Sequence, residues 1–154
     1  MKPKRTGPIA VILIAGLGVV ASGADRPNFS GTWKLDTEKS DYGRIQPPQK
    51  LERVITHNDP SLKIKTTQTG PQGPITTELS YTTDGKESVN TIRGTEVKIT
   101  AHWDKDALLV ESTRGQLKQD ERWTLSPDGR ILTIVNHFNS SQGPMVLTIV
   151  LDKE

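Results

Sequence analysis

Residues Ser61–Gln68 read SLKIKTTQ, with Leu62, Ile64 and Thr66 on one side of an extended chain and Lys63, Lys65 and Thr67 on the other. Period-two alternation of this kind belongs to a strand with one dry face and one wet face. The pattern returns at Ile75–Tyr81, where Ile75, Thr77, Leu79 and Tyr81 oppose Thr76, Glu78 and Ser80. It returns again at Thr95–Trp103, where Val97, Ile99, Ala101 and Trp103 oppose Glu96, Lys98, Thr100 and His102. Between such runs stand Asn58-Asp59-Pro60, Asp84-Gly85, Asp104-Lys105-Asp106, Ser126-Pro127-Asp128-Gly129 and Ser140 to Gly143, all of them turn chemistry. No helical spacing competes. Strands are predicted at Gly31–Leu35, Leu51–His57, Ser61–Gln68, Ile75–Tyr81, Glu87–Ile92, Thr95–Trp103, Ala107–Thr113, Leu117–Leu125, Ile131–Phe138 and Met145–Leu151. Short connections make this an up-and-down antiparallel meander, which most simply hides its edges by closing into a single all-β barrel of about 8–10 strands.

The one interruption is Asp36 to Gln49, which carries Gly43, Pro47 and Pro48. A loop of that length inside a small domain is often functional, and a segment that crosses a barrel end is the simpler expectation. Ahead of the first strand, Lys2, Lys4 and Arg5 precede an apolar run from Ile9 to Ala21 and a small-residue site at Ser22-Gly23-Ala24. That is the anatomy of a cleavable signal peptide, residues 1–24, and the run is too short and too glycine-broken to span a bilayer. No cysteine follows it, so acylation at the cut is excluded.

Cleavage removes three of the 20 basic residues and none of the 18 acidic ones, leaving 17 against 18. The domain, residues 25–154, therefore carries no electrostatic footprint for nucleic acid or anionic lipid. Without cysteine it is held by packing and strand pairing alone, as suits an exported periplasmic or secreted monomer with no stable membrane insertion.

Asn28 to Asp36 reads NFSGTWKLD. This G-x-W at the start of the first strand resembles the calycin superfamily, which includes lipocalins, fatty-acid-binding proteins and avidin-like barrels. The resemblance implies a lipocalin-like barrel in which Trp33 lies across the closed end and Gly31 permits close approach of the chain. Gly31 to Leu35 followed by Asp41-Tyr42 is especially similar to the opening of fatty-acid-binding proteins, and the chain also resembles small secreted bacterial proteins that share GTWKLD and a W-T-L-S-P-D-G turn, here Trp123 to Gly129. There are departures. Asp36 to Lys50 is too short and proline-broken for the two helices that fatty-acid-binding proteins insert there, and Met145–Leu151 lacks their Arg-x-Tyr pair. For the lipocalin arginine that covers the tryptophan, only Lys153 offers itself.

The residues do not spell out a reaction. His57, His102 and His137 stand at least 35 residues apart without the local pairing of metal motifs, so no metal and no cofactor is expected. Ser126 sits in a turn with no helix behind it to form a nucleophile elbow. Strand phase nevertheless places polar groups on the apolar face: Arg53 with Leu51 and Ile55, Arg114 with Leu108 and Val110, Glu121 with Trp123 and Leu125, and Asn136 with Phe138. An inward arginine clamps a ligand carboxylate, or else it sits near a barrel mouth or pairs with Glu121. The expected ligand-binding set is Arg53, Tyr81, Trp103, Arg114, Glu121, Trp123 and Phe138. These features favour a non-enzymatic binding protein for a small amphipathic molecule. The alternative is a side-chain-filled barrel acting as an interaction or inhibitor module, which would lack a pocket of about 300 Å³ or more.

Overall fold

In the computed structural model, which describes residues 26–154, ten strands form where alternation placed them and no helix is present among those residues. The signal-peptide reading of residues 1–24 lies outside the described residues. In chain order the strands are β1 (Gly31–Leu35), β2 (Lys50–Asn58), β3 (Ser61–Gly70), β4 (Gly73–Thr82), β5 (Ser88–Ile92), β6 (Thr95–Asp104), β7 (Ala107–Arg114), β8 (Leu117–Leu125), β9 (Ile131–Ser140) and β10 (Gly143–Lys153). They build one antiparallel sheet in the order β4-β3-β2-β1-β10-β9-β8-β7-β6-β5. The first strand pairs with the last, Trp33 opposite Lys153 and Leu35 opposite Leu151, so the meander curls round on itself.

The sheet's two edges, β4 and β5, meet without a backbone ladder. The Asn90 side chain spans the seam: its Oδ1 accepts from the Ser80 N–H at 2.8 Å and its Nδ2 donates to the Ser80 carbonyl at 3.0 Å. One amide thus supplies the two hydrogen bonds that a ladder pair would exchange, and the barrel is nearly closed.

Alternation decides what fills it. Leu62 and Ile64 on β3, Val97 and Ile99 on β6, Leu108 and Val110 on β7, and Leu132 and Ile134 on β9 are all buried and form one core with Trp33, Trp123 and Phe29. The closed end is a stack of rings. Phe29, just ahead of β1, lies 5.6 Å from His57 and 5.8 Å from Trp103, both stacked, and meets Trp123 edge-on at 5.6 Å. The Phe29 N–H donates to His57 Nδ1 at 3.2 Å, while the Trp33 indole donates to the Phe29 carbonyl at 2.9 Å.

Trp33 is fully buried at that end. Lys153 covers it, its Nζ 5.4 Å from the ring centroid. A Cβ on Gly31 would come within 2.6 Å of Lys153 Cε, and Gly31 sits at φ +142°, so glycine gives the lysine its route to the indole.

The loop from Asp36 to Gln49 departs from expectation. It does not simply cross the barrel end, because its first half prolongs the β1–β10 seam. Asp41 pairs with Thr148 across 2.7 and 2.8 Å backbone hydrogen bonds, and Ser40 Oγ accepts from the Val150 N–H at 2.9 Å. Asp36 anchors the turn, its Oδ1 accepting from the Glu38 and Lys39 N–H groups.

Candidate ligand-binding site inside the barrel

Inward residues of β2 through β8 enclose a cavity of about 200 Å³. Its apolar wall is Ile64, Leu79, Ile92, Val97, Ile99, Val110 and Leu117, and its polar side chains are Arg53, Thr66, Tyr81, Ser112, Arg114, Gln119 and Glu121, with Trp123 between them. The strand register explains this company. Arg53 faces Thr66 across the β2–β3 ladder, and Glu121 faces Val110 on one side and Asn136 on the other.

Five of the seven residues expected to bind ligand line this space: Arg53, Tyr81, Arg114, Glu121 and Trp123. Trp103 does not. It lies at the closed end, stacked near His57 at 6.0 Å, with its indole N–H donating to Asp59 Oδ1 at 3.2 Å and Arg26 5.5 Å over its ring. Phe138 is half-buried opposite Gln119 and Met145 and is also absent from the cavity wall. Both residues share the inward phase, but alternation does not encode which inward residues border the cavity and which pack elsewhere.

Of the two cavity arginines, Arg53 is the one held against the aromatic wall. Its Nε donates to Thr66 Oγ1 at 3.1 Å, and its guanidinium lies 5.4 Å over the Trp123 ring. Among the described residues no carboxylate lies within 4.0 Å of Arg53 or Arg114. Arg114 instead reaches the Ile92 carbonyl at 3.4 Å, near the barrel mouth. Glu121 accepts from neutral donors instead, Gln119 Nε2 at 2.8 Å and Trp123 Nε1 at 2.7 Å. The internal Arg–Glu121 pair that would have used up both charges is therefore not formed.

Tyr81 is buried against the same cavity. Burial, reinforced by the negative charge of Glu121, pushes its phenol far above the usual range, so it is a neutral hydroxyl throughout physiological pH. A second tyrosine escaped the sequence reading as a site residue. Tyr42, on the loop that prolongs the β1–β10 seam, buries a hydroxyl that has no hydrogen-bond partner, and burial raises its pKa as well. Thr66 and Gln119 were also missed; their phase signalled an inward position, but nothing in the sequence tied them to Arg53 and Glu121. Among the described residues no group of three His, Cys, Asp or Glu side chains could hold a metal ion.

No family model and no curated protein matches the sequence. In three dimensions the chain is similar to fatty-acid-binding protein 1 of Echinococcus granulosus, at 17% identity and a TM-score of 0.59, covering 81% of this chain and 96% of that one. It is similar to zebrafish ileal bile acid-binding protein complexed with cholic acid, at 20% identity and a TM-score of 0.57, covering 82% and 98%. It is similar, too, to secretory abundant heat soluble protein 4 of Ramazzottius varieornatus, at 16% identity and a TM-score of 0.60, covering 82% and 94%. The up-and-down antiparallel barrel expected from the strand pattern is the fold found, and these structures share it.

Proposed function

We propose that the chain is an exported binding protein that holds a small amphipathic molecule by an acidic head inside its barrel. The observation that carries this reading is Arg53: a guanidinium on a cavity wall, fixed by Thr66 and Trp123, with no carboxylate to neutralise it. A cation withdrawn from bulk water is costly unless paired, and a carboxylate entering the cavity would complete a charge-assisted, two-pronged contact. The fold supports the same reading, because two of the similar structures are named for binding fatty acids and bile acids.

At about 200 Å³ the cavity falls short of the roughly 300 Å³ at which ligand pockets begin. A long tail would therefore have to extend toward the mouth near Ile92 and Leu117. The small volume also favours a second reading, a largely filled barrel that works as an interaction module.

A titration separates the two. Decanoate should change the tryptophan fluorescence of the wild type, decanol should do so much less, and Arg53→Ala should erase the difference. No response to either ligand overturns the binding reading in favour of the interaction module. Export is tested by sequencing the N-terminus of the exported protein, which should begin at Asp25; retention of residues 1–24 would mean an uncleaved anchor.

A further inference from the structure

Of the three charged side chains on the cavity wall, Arg114 reaches toward the Ile92 carbonyl, while Arg53 and Glu121 are unlike charges that stay apart, with Trp123 touching both. Its ring face lies under the Arg53 guanidinium at 5.4 Å, while its N–H donates to Glu121 Oε2 at 2.7 Å. An indole offers a negative π face to cations and a single edge donor to anions, so this one side chain satisfies both groups without letting them meet. Trp123 is itself 1% exposed, which fixes the spacer in place.

Neither charge is saturated. Arg53 has five N–H donors, of which one is used by Thr66. Glu121 offers about four lone-pair positions, of which two are used, by Gln119 and Trp123. Asn136, in register with Glu121 on β9, is 7% exposed and its Oδ1 has no donor, but it lies behind Glu121 rather than on the cavity wall. One side of the indole thus presents the unused donors of Arg53 and the other the unused lone pairs of Glu121.

We propose that the cavity recognises an acid that also carries a hydrogen-bond donor, an amino or hydroxy group a few bonds from the carboxylate, with the carboxylate on Arg53 and the donor on Glu121. A plain fatty acid would satisfy the arginine and leave the carboxylate of Glu121 facing apolar chain, where an under-paired charge is penalised. A ligand bearing both groups bridges the indole and completes both sets of hydrogen bonds. Tyr81, on the same wall, is kept neutral chiefly by burial and offers a hydroxyl rather than a third charge.

This inference rests on the binding reading above, and its test separates the two. Decanoate, β-hydroxydecanoate and β-aminodecanoate are titrated into wild type, Glu121→Gln and Arg53→Ala, following tryptophan fluorescence and checking by calorimetry. In the wild type the β-amino acid should bind at least tenfold more tightly than decanoate, with the hydroxy acid between them. Glu121→Gln should bring the β-amino acid down to the level of decanoate while leaving decanoate unchanged or tighter, and Arg53→Ala should weaken all three. If decanoate binds the wild type as tightly as the β-amino acid, the donor requirement is wrong and the simple carboxylate reading stands. If none of the three binds, the binding reading falls and this inference with it. Circular dichroism of both variants checks that the fold is retained, and Glu121→Asp, which keeps the charge, should restore part of the preference for the β-amino acid.

Discussion

Replacing Trp33 by alanine removes a side chain that is fully buried at the closed end, donates to the Phe29 carbonyl at 2.9 Å and carries Lys153 over its face. A buried aromatic hides about 150–250 Å². At about 25 cal/mol per Å² that is roughly 4–6 kcal/mol, an upper value because the unfolded chain already hides part of this surface. Measured truncations of large core aromatics fall at about 3–5 kcal/mol. Leaving the Phe29 carbonyl without its donor adds to the cavity cost, so the expected loss is well inside that range, about 4 kcal/mol. Against a total stability of about 5–15 kcal/mol this is a large fraction. Urea unfolding followed by circular dichroism at 25 °C reads it directly, and Trp33→Phe, which keeps most of the ring but not the N–H, should lose only about 1–2 kcal/mol. A Trp33→Ala protein within about 1 kcal/mol of wild type would refute the closed-end role and the burial argument together.

Gly31→Ala should destabilise by about 1–3 kcal/mol, because the new Cβ meets Lys153 and the backbone sits at φ +142°; adding Lys153→Ala should recover the steric part alone, as a double-mutant cycle will show. Asn90→Ala removes both hydrogen bonds across the β4–β5 seam, so amide exchange in β4 and β5 should accelerate while β8 and β9 stay protected. Equal acceleration everywhere would mean that the seam is not a local element. Asp59 is held below the usual carboxylate range by hydrogen bonds from Thr83 first, then from Trp103, with the His57 ring 3.5 Å away adding to the effect. Its folded pKa thus lies below its unfolded value of about 3.9, so the stability it contributes is present above that pH and is lost as pH falls through the folded pKa. Asp59→Asn should flatten the acid limb of the stability curve below about pH 4, and an unchanged limb would refute the assignment.

The strands were legible because each carries one dry face, and the physics of alternation does not depend on the partner strand. Their ends were less so. The ladder of β3 and β4 runs on to Gly70 opposite Gly73, and that of β9 and β10 to Ser140 opposite Gly143, since two-residue turns let pairing continue into residues that propensity marks as breakers. Closure was legible as a need to hide edges, but not where it happens: the ring joins at β1–β10 and leaves its seam at β4–β5, closed by a side chain that looks like any surface asparagine. At the site, phase put Arg53, Glu121 and Trp123 on one face. It could not say that the indole would stand between the charges, because that depends on the register of four strands. Lys153 over Trp33 was legible only through the resemblance, as the one candidate for the lipocalin arginine's place, and the β1–β10 register puts it there.

Native mass spectrometry of the exported protein, purified from its own host, tests the central claim most directly. The account predicts the mass of residues 25–154 plus a bound acidic small molecule that is missing from the Arg53→Ala protein prepared in the same way. A bare polypeptide mass for both proteins would contradict it.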